Sequence, residues 1–571
     1  MTPAATRERW RELAAEVLRK AGGDAAEPER ALATTTYDGI TLAPLYDAAD
    51  LPDDAPGLPP ATGDGRAPGR PWQVRARHEL ADPDAVLADL HNGAGSLWLA
   101  VAPEDLAQAL AGVPLDTTPI VLDAGARTAE AAAALRALAE RRGVPPASLR
   151  GCLGADPLGL QARTGTPADL ADAAALARAC EPPGMRALVA DATPYHEAGA
   201  GDAQELGCSI ATGLAYLRAL TGAGLTVEEA FGQVEFRYAA TADQFATIAK
   251  LRAARVLWAR VAEVSGGPPG QFQHAVTSAA MMARHDPHTN ILRTTLACFA
   301  AGVGGADAVT VRPFDDALGA PDAFSRRVAR NTSALLTDEA HVARVADPAG
   351  GSWYVERRTA DLAGHAWEWF QEIEEAGGMA AALASGLVPE RIAAVRADRA
   401  RDIARGRAPI IGVTHYPDLS QPPRPAASPP RPPVGALPRI RHAGEFEDLR
   451  DLADARPVRP RVFLATLGPA REHAARVSFA AGVFHAGGIE TVTGTPEEFD
   501  PRVTPVACLC GGDRRYAEQA SAAAAALRAA GATRIWLAGR DRHDGVDAVL
   551  HAGCDVPEVL RTTLADLEVT A

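Results

Sequence analysis

Two short stretches carry most of the side chains able to do chemistry. In TLGPAREHAAR (466–476) Glu472 and His473 stand side by side after an apolar run, and in PYHEAGAGDAQELG (194–207) His196 follows another such run. A carboxylate at Glu472 could hold a hard ion such as Mg, Ca or Mn, and an imidazole at His196 could act as a general acid. For Glu472 the plainer reading is a solvated surface glutamate. Only two lysines occur, Lys20 and Lys250, so a catalytic lysine has two candidates. The close-set pair Cys508-Leu509-Cys510 puts two thiols on one side of a strand, which is not zinc-site spacing, and the seven scattered cysteines read as buried, reduced thiols. No GxxxxGK[ST] phosphate loop appears, which excludes a P-loop nucleotide hydrolase.

The elements around these residues alternate. From about 72 to 330, short apolar runs (SLWLAVA, PIVLDAG, SLRGCLGA, MRALVADA) are separated by alanine-rich helical patterns, and this predicts a parallel sheet with helical crossovers, closed into a (β/α)8 TIM-type barrel. TPADLADAAALARAC predicts a helix with Pro167 at its first position. Mostly helical sequence follows to about 404, and QPPRPAASPPRPPVGALP (421–438) reads as a stiff extended linker. From about 459 a second set of strands and helices predicts a flavodoxin-like, doubly wound domain. The domain expectation is an N-terminal helix and extended arm over 1–60, a barrel with its C-terminal helices over 61–405, a Pro-rich linker over 406–458 and a small α/β domain over 459–571. In the first helix Trp10, Leu13, Val17 and Leu18 share a face.

The chain has 571 residues and a net charge of −15, with no basic run of five or more, which argues against a nucleic-acid or membrane surface; an acidic ligand would need a local exception. The charged amphipathic start does not read as a signal sequence, and no run of 18 uncharged apolar residues occurs. The expected location is cytoplasmic.

Barrel, linker, then small doubly wound domain is the order of the cobalamin-dependent acyl-CoA mutases, and the local motifs resemble methylmalonyl-CoA mutase in particular. TTTYDGITLAPLY (34–46) resembles that family's N-terminal arm. KLRAARVLWARV (250–261), FSRRVARNTSALL (324–336), VADPAGGSWYVE (345–356), WFQEIEEAGGMAAAL (369–383) and APIIGVTHY (408–416) resemble successive family blocks, and RVFLATLG opens the last domain as the family's strand does. The resemblance implies a degenerate acyl-CoA mutase barrel followed by a degenerate cobalamin-binding-like domain.

It also shows what has been lost. The family's motif for the axial cobalt ligand is Asp-x-His-x-x-Gly, in which the carboxylate orients the imidazole through its second nitrogen. Aligned on Gly468, those positions hold Ala470, Glu472 and Ala475, and a lysine four residues before the aspartate is replaced by Thr466. His473, one residue on, is turned by about 100° on a helix and points away. The family's Ser-x-Leu for the nucleotide tail is Cys508-Leu509-Cys510, and its paired glycines are Ala538-Gly539, followed by Arg540. In the barrel, the tyrosine three residues before Arg70-Pro71-Trp72 is Ala67. The substrate-carboxylate arginines are missing from TPADLADAA and from FQHAVTS, where Phe272 stands at the arginine position, and phenylalanine cannot replace a bidentate guanidinium. The catalytic histidine aligns with Pro194 if the strand is ungapped, as pleat register favours; a two-residue deletion would instead align Tyr195-His196.

The resemblance therefore implies a chain with no catalytic, cofactor-binding or metal-ligating residues: a non-catalytic small subunit in a heterodimer. Its large subunit would hold adenosylcobalamin and interconvert methylmalonyl-CoA and succinyl-CoA, with the arm at 1–60 wrapping that partner. The alternatives are an active mutase with displaced site residues and a CoA-binding or chaperone-docking module.

Overall fold

The computed structural model describes residues 6–51, 70–180, 184–421 and 435–569. Eight parallel strands close a barrel in chain order: β1 Gln73–His78, β2 Ser96–Leu99, β3 Ile120–Leu122, β4 Gly151–Ala155, β5 Met185–Asp191, β6 Val234–Ala240, β7 Gln273–Thr277 and β8 Ala308–Thr310, which pairs back onto β1. Outward positions such as Leu97, Leu99, Leu188 and Phe236 bury against the surrounding helices. Inward positions build the axis, because successive strand residues face opposite ways. Tight packing in β4 requires glycine: a Cβ on Gly154 (φ +75°) would lie 1.9 Å from the Leu122 carbonyl oxygen, and there the strand shifts register.

Local sequence fixes the helix ends. Asp82 caps Pro83–His91 by accepting from Ala85 N at 3.1 Å, and Asp243 caps Gln244–Ser265 in the same way, with left-handed Gly266 ending it. The helix in TPADLADAAALARAC begins at Leu170, not at Pro167, because Asp169 takes the capping role by accepting from Ala171 N. Helix Gln244–Ser265 buries Trp258 against Phe231 and Phe236, and helix Trp353–Glu375 packs across it and Asp202–Gly222.

The second unit is a five-stranded parallel sheet: β9 Arg461–Thr466, β10 Glu490–Gly494, β11 Val506–Cys510, β12 Arg534–Ala538 and β13 Ala548–Leu550, in the order β10-β9-β11-β12-β13. This is the flavodoxin-like order. The span 406–458 is not a linker throughout. Helix Gly444–Asp454 buries Phe446, Leu449 and Ala453 in the core of this unit, so the expected boundary at 459 falls after a helix that belongs to the domain. The proline-dense residues 422–434 lie outside the described residues. Just after them the chain straps the barrel mouth: Leu437, Ile440 and His442 donate their backbone N–H groups to the carbonyls of Ala162, Glu197 and Ala280, each at 2.8 Å. Buried Glu447 then accepts from Arg284 N at 2.6 Å and pairs with the Arg284 and Arg441 guanidinium groups, locking the two units together.

In the arm, Thr6 caps helix Arg7–Lys20, whose residues Leu13 and Val17 remain 47% and 65% exposed. Asp38 anchors the extended stretch by accepting from the backbone N–H groups of Asp202 and Ala203. No helix among the described residues is long and apolar enough to cross a membrane.

Candidate functional site

The barrel axis is occupied by side chains of the chain itself. At the amino-terminal end Phe272 precedes β7, with the guanidinium carbon of Arg186 4.3 Å and that of Arg75 5.8 Å from its ring centre. Where the resemblance implies a substrate arginine, the chain thus has an aromatic ring approached by two arginines. One layer up, Arg75 is paired with Glu235, both buried, and its Nε reaches Ser96 Oγ. His274 accepts at Nδ1 from Arg237 Nε (3.1 Å), so its Nε2 carries the proton and donates to Thr310 Oγ1 at 2.8 Å. Burial, with Arg75 and Arg237 close by, holds this imidazole well below its ordinary pKa and therefore neutral.

The middle of the axis is Trp98. It packs with Val121, Cys152, Val189 and Val276, and its ring lies between two cations, with Arg77 Cζ 4.4 Å and Arg237 Cζ 4.1 Å from the centroid. Toward the carboxyl-terminal mouth, Asp191 joins Arg237 (2.9 Å) and Arg163. Burial pushes the Asp191 carboxyl up, but the two arginines outweigh it and hold it below the usual carboxylate range. Asp156, buried beside Arg163 and Asp191, is pushed up by burial to about 6 in spite of Arg163, and accepts from Tyr216 OH at 2.6 Å. Two carboxylates with opposite shifts can mark an acid–base pair. Here both are tied into ion pairs or hydrogen bonds, which is a structural use.

Pro194, Tyr195 and His196 lie on the short helix Thr193–Glu197 beyond the end of β5, so strand register does not govern their alignment. Tyr195 is wholly buried in the main core, whereas His196 faces Ser278 Oγ (Nε2, 2.7 Å) and Glu205 (Nδ1, 3.4 Å). Glu205 is shared with Lys250, which reaches Glu205 at 2.7 Å and Asp202 at 3.0 Å with no exposed surface. Trp72 is a core residue and Ala67 lies outside the described residues. TPADLADAA supplies no cation, and the arginine that does reach the mouth, Arg163, comes from the preceding helix Pro157–Thr164.

In the second unit the four cobalt-end positions fall at the carboxyl end of β9. Thr466 Oγ1 donates to the Gly494 carbonyl (3.1 Å), Ala470 and Ala475 lie on helix Ala470–Ala486, and Glu472 is paired with Arg515 at 2.7 Å, which holds its carboxyl below the usual range. His473 is half-buried, and its Nδ1 lies 3.1 Å from the chain's own Gly468 carbonyl. Tyr516, absent from the sequence reading, fills the neighbouring crevice. Its hydroxyl takes the Gly511 N–H at 2.8 Å and reaches the Ala538 and Leu509 carbonyls at 2.9 and 3.2 Å, joining the ends of β11 and β12. These are the strand ends where the nucleotide tail was expected. Among the described residues these four positions hold Thr466, Ala470, Glu472 and Ala475 and no imidazole, a donor set that does not fit a corrin cobalt. Among the described residues no three His, Cys, Asp or Glu side chains converge as a metal site.

A closed parallel barrel followed by a flavodoxin-like domain, with family motifs at every turn, defines the class of the cobalamin-dependent acyl-CoA mutases. The comparisons narrow it. The family described as "Methylmalonyl-CoA mutase" matches residues 76–431. A protein of Streptomyces virginiae named "Methylmalonyl-CoA mutase small subunit" is 53% identical over 98% of this chain and 97% of its own length. A "Probable methylmalonyl-CoA mutase small subunit" of Mycobacterium tuberculosis is 42% identical over 98% and 97%, and a "Methylmalonyl-CoA mutase small subunit" of Propionibacterium freudenreichii subsp. shermanii is 39% identical over 99% and 96%. The chain belongs to the methylmalonyl-CoA mutase family.

Proposed function

We propose that this chain is the non-catalytic small subunit of a heterodimeric methylmalonyl-CoA mutase, an isomerase whose chemistry resides in a large subunit of the same fold. The observation that carries the reading is the filled barrel axis. Trp98 between Arg77 and Arg237, above the Arg75–Glu235 pair, occupies the place where a substrate would need space and free cations. The Glu472–Arg515 pair and Tyr516 do the same at the cobalt end. Both ends are filled by side chains of the chain itself, packed rings and paired charges.

Adenosylcobalamin would then be held by the large subunit alone. The exposed Leu13 and Val17 on the N-terminal helix suit burial against that partner, since an apolar stripe on a helix is stabilised only when covered. The scaffold's role is to hold the catalytic partner in its active form, and the site of action is the cytoplasm.

The test is expression of this chain alone and together with the large subunit, with corrinoid absorbance and methylmalonyl-CoA/succinyl-CoA interconversion measured on each. The expected result is a colourless, inactive chain and an active complex carrying one corrinoid. Stoichiometric corrinoid and turnover in the lone chain would overturn the proposal.

A further inference from the structure

The loop that follows helix Leu387–Ala404 ends on a strained aromatic residue. Tyr416 holds φ +55°, a left-handed conformation that bulky residues rarely adopt, and it is 83% exposed. Packing against the rest of the chain therefore does little to offset the strain, and strain kept in a native fold marks functional positions. The loop itself is a fixed frame. Thr414 Oγ1 accepts from Ile410 N at 2.8 Å, Gly412 N donates to the His415 carbonyl at 2.7 Å, and Val413 is buried in the core of the second unit. Gly412 (φ +83°) must lack a Cβ, because one would lie 2.6 Å from Asp286 Oδ2.

The same frame presents Ile411, also exposed, whose carbonyl accepts from Arg293 on helix Thr289–Val303 at 2.6 Å. One turn apart on that helix, Leu292 (66% exposed) and Leu296 face solvent. Arg293 gives its donors to neutral acceptors, Asn290 Oδ1 and the Ile411 carbonyl, and pairs with no carboxylate among the described residues. Burial holds it below the ordinary arginine range. The carboxylates that act on it from a distance are already used, Asp286 by Thr289 and Glu447 by Arg284 and Arg441. Exposed apolar side chains grouped around a tyrosine and an unpaired arginine have the composition of a protein-binding hot spot.

We propose that Tyr416, Ile411, Leu292, Leu296 and Arg293 form a docking surface for the large subunit, whose facing surface supplies an apolar pocket and a carboxylate. The assignment rests on the reading of this chain as a small subunit, and it adds a second contact surface to the N-terminal helix. Charge selects the occupant. Arg293 calls for a carboxylate that its own chain does not provide, and complementary charge fixes register in an interface. A second copy of this chain is the poorer fit, since two bodies of net charge −15 repel each other.

The experiment is a sedimentation titration of the full chain with purified large subunit, comparing the parent with Tyr416→Gly and Leu292→Gln. Glycine adopts the left-handed conformation freely, so Tyr416→Gly should leave the Tm of the free chain equal to the parent's or higher. Each substitution should nevertheless weaken the complex at least about tenfold. That combination separates a docking residue from a structural one, and Leu292→Gln carries the test if the glycine variant fails to fold. A parent complex left unchanged by both substitutions would overturn this assignment alone. So would self-association of the lone chain that both substitutions abolish, because the occupant would then be a second copy. A parent chain that binds no large subunit would overturn the small-subunit reading and this surface with it.

Discussion

The Arg237 guanidinium carbon stands 4.1 Å from the centre of the Trp98 ring, on the axis of a barrel whose family relatives carry the name of an acyl-CoA isomerase. The same arginine donates to Asp191 and to His274, so one side chain joins the aromatic plug to the polar groups above and below it. Removing either member exposes the other to an environment built for the pair.

Trp98→Ala should therefore destabilise the barrel by about 3–5 kcal/mol, through the cavity it leaves and two arginines deprived of their ring. Urea unfolding followed by circular dichroism measures this. The variant should gain no mutase turnover on its own, because no cobalt ligand accompanies the space. A loss well under 1 kcal/mol would mean that the axis is loosely packed.

Tyr516→Phe removes the hydroxyl that accepts from Gly511 N and satisfies the ends of β11 and β12. Leaving a buried N–H without an acceptor should cost about 1–3 kcal/mol. Hydrogen exchange at Gly511 should quicken while barrel amides are unchanged. Unaltered protection there would show that the crevice does not depend on this residue.

His274 predicts a pH effect. Its ring is neutral in the folded barrel and has a folded pKa well below 6.5, while the unfolded chain takes up the proton near 6.5. The unfolded state thus binds more protons below that pH, and stability falls as pH drops from 6.5 downward. Urea midpoints from pH 7.5 to 5 should decline more steeply for the parent than for His274→Asn. Parallel slopes would remove His274 from the account.

Lys250 should resist chemical modification. It has no exposed surface and bridges Asp202 and Glu205, whereas Lys20 is 74% exposed. Amine-reactive labelling of the native chain, read by mass spectrometry, should modify Lys20 and spare Lys250 until denaturant is added. Lys250→Met should cost about 3–5 kcal/mol by leaving buried carboxylates without their cation. Ready labelling of native Lys250 would contradict this burial.

Much of this was legible from the chain. Alternating apolar runs and alanine-rich helices dictate a parallel barrel and a doubly wound domain, because side-chain period sets which face is buried. That Glu472 and Phe272 stand where the family resemblance implies a histidine and an arginine is legible one residue at a time. The linker boundary was not: GEFEDLRDLAD follows a proline run, and only the cluster of Phe446, Leu449 and Ala453 in the second core shows that it is a docked helix. His196 and Pro194 likewise could not be told apart by register, since the segment lies beyond the strand.

The sequence by itself determined the two folds in their order and the family, both of which rest on local patterns and residue identity. What packs along the barrel axis and beside the end of β9 only the tertiary structure decided. Trp98, Arg163, Asp191 and Arg237 come from four separate barrel segments, and Tyr516 reaches strand ends on either side of its own helix. Such contacts form when closure of the sheet brings distant inward-facing positions to one axis, and no spacing along the chain encodes that meeting.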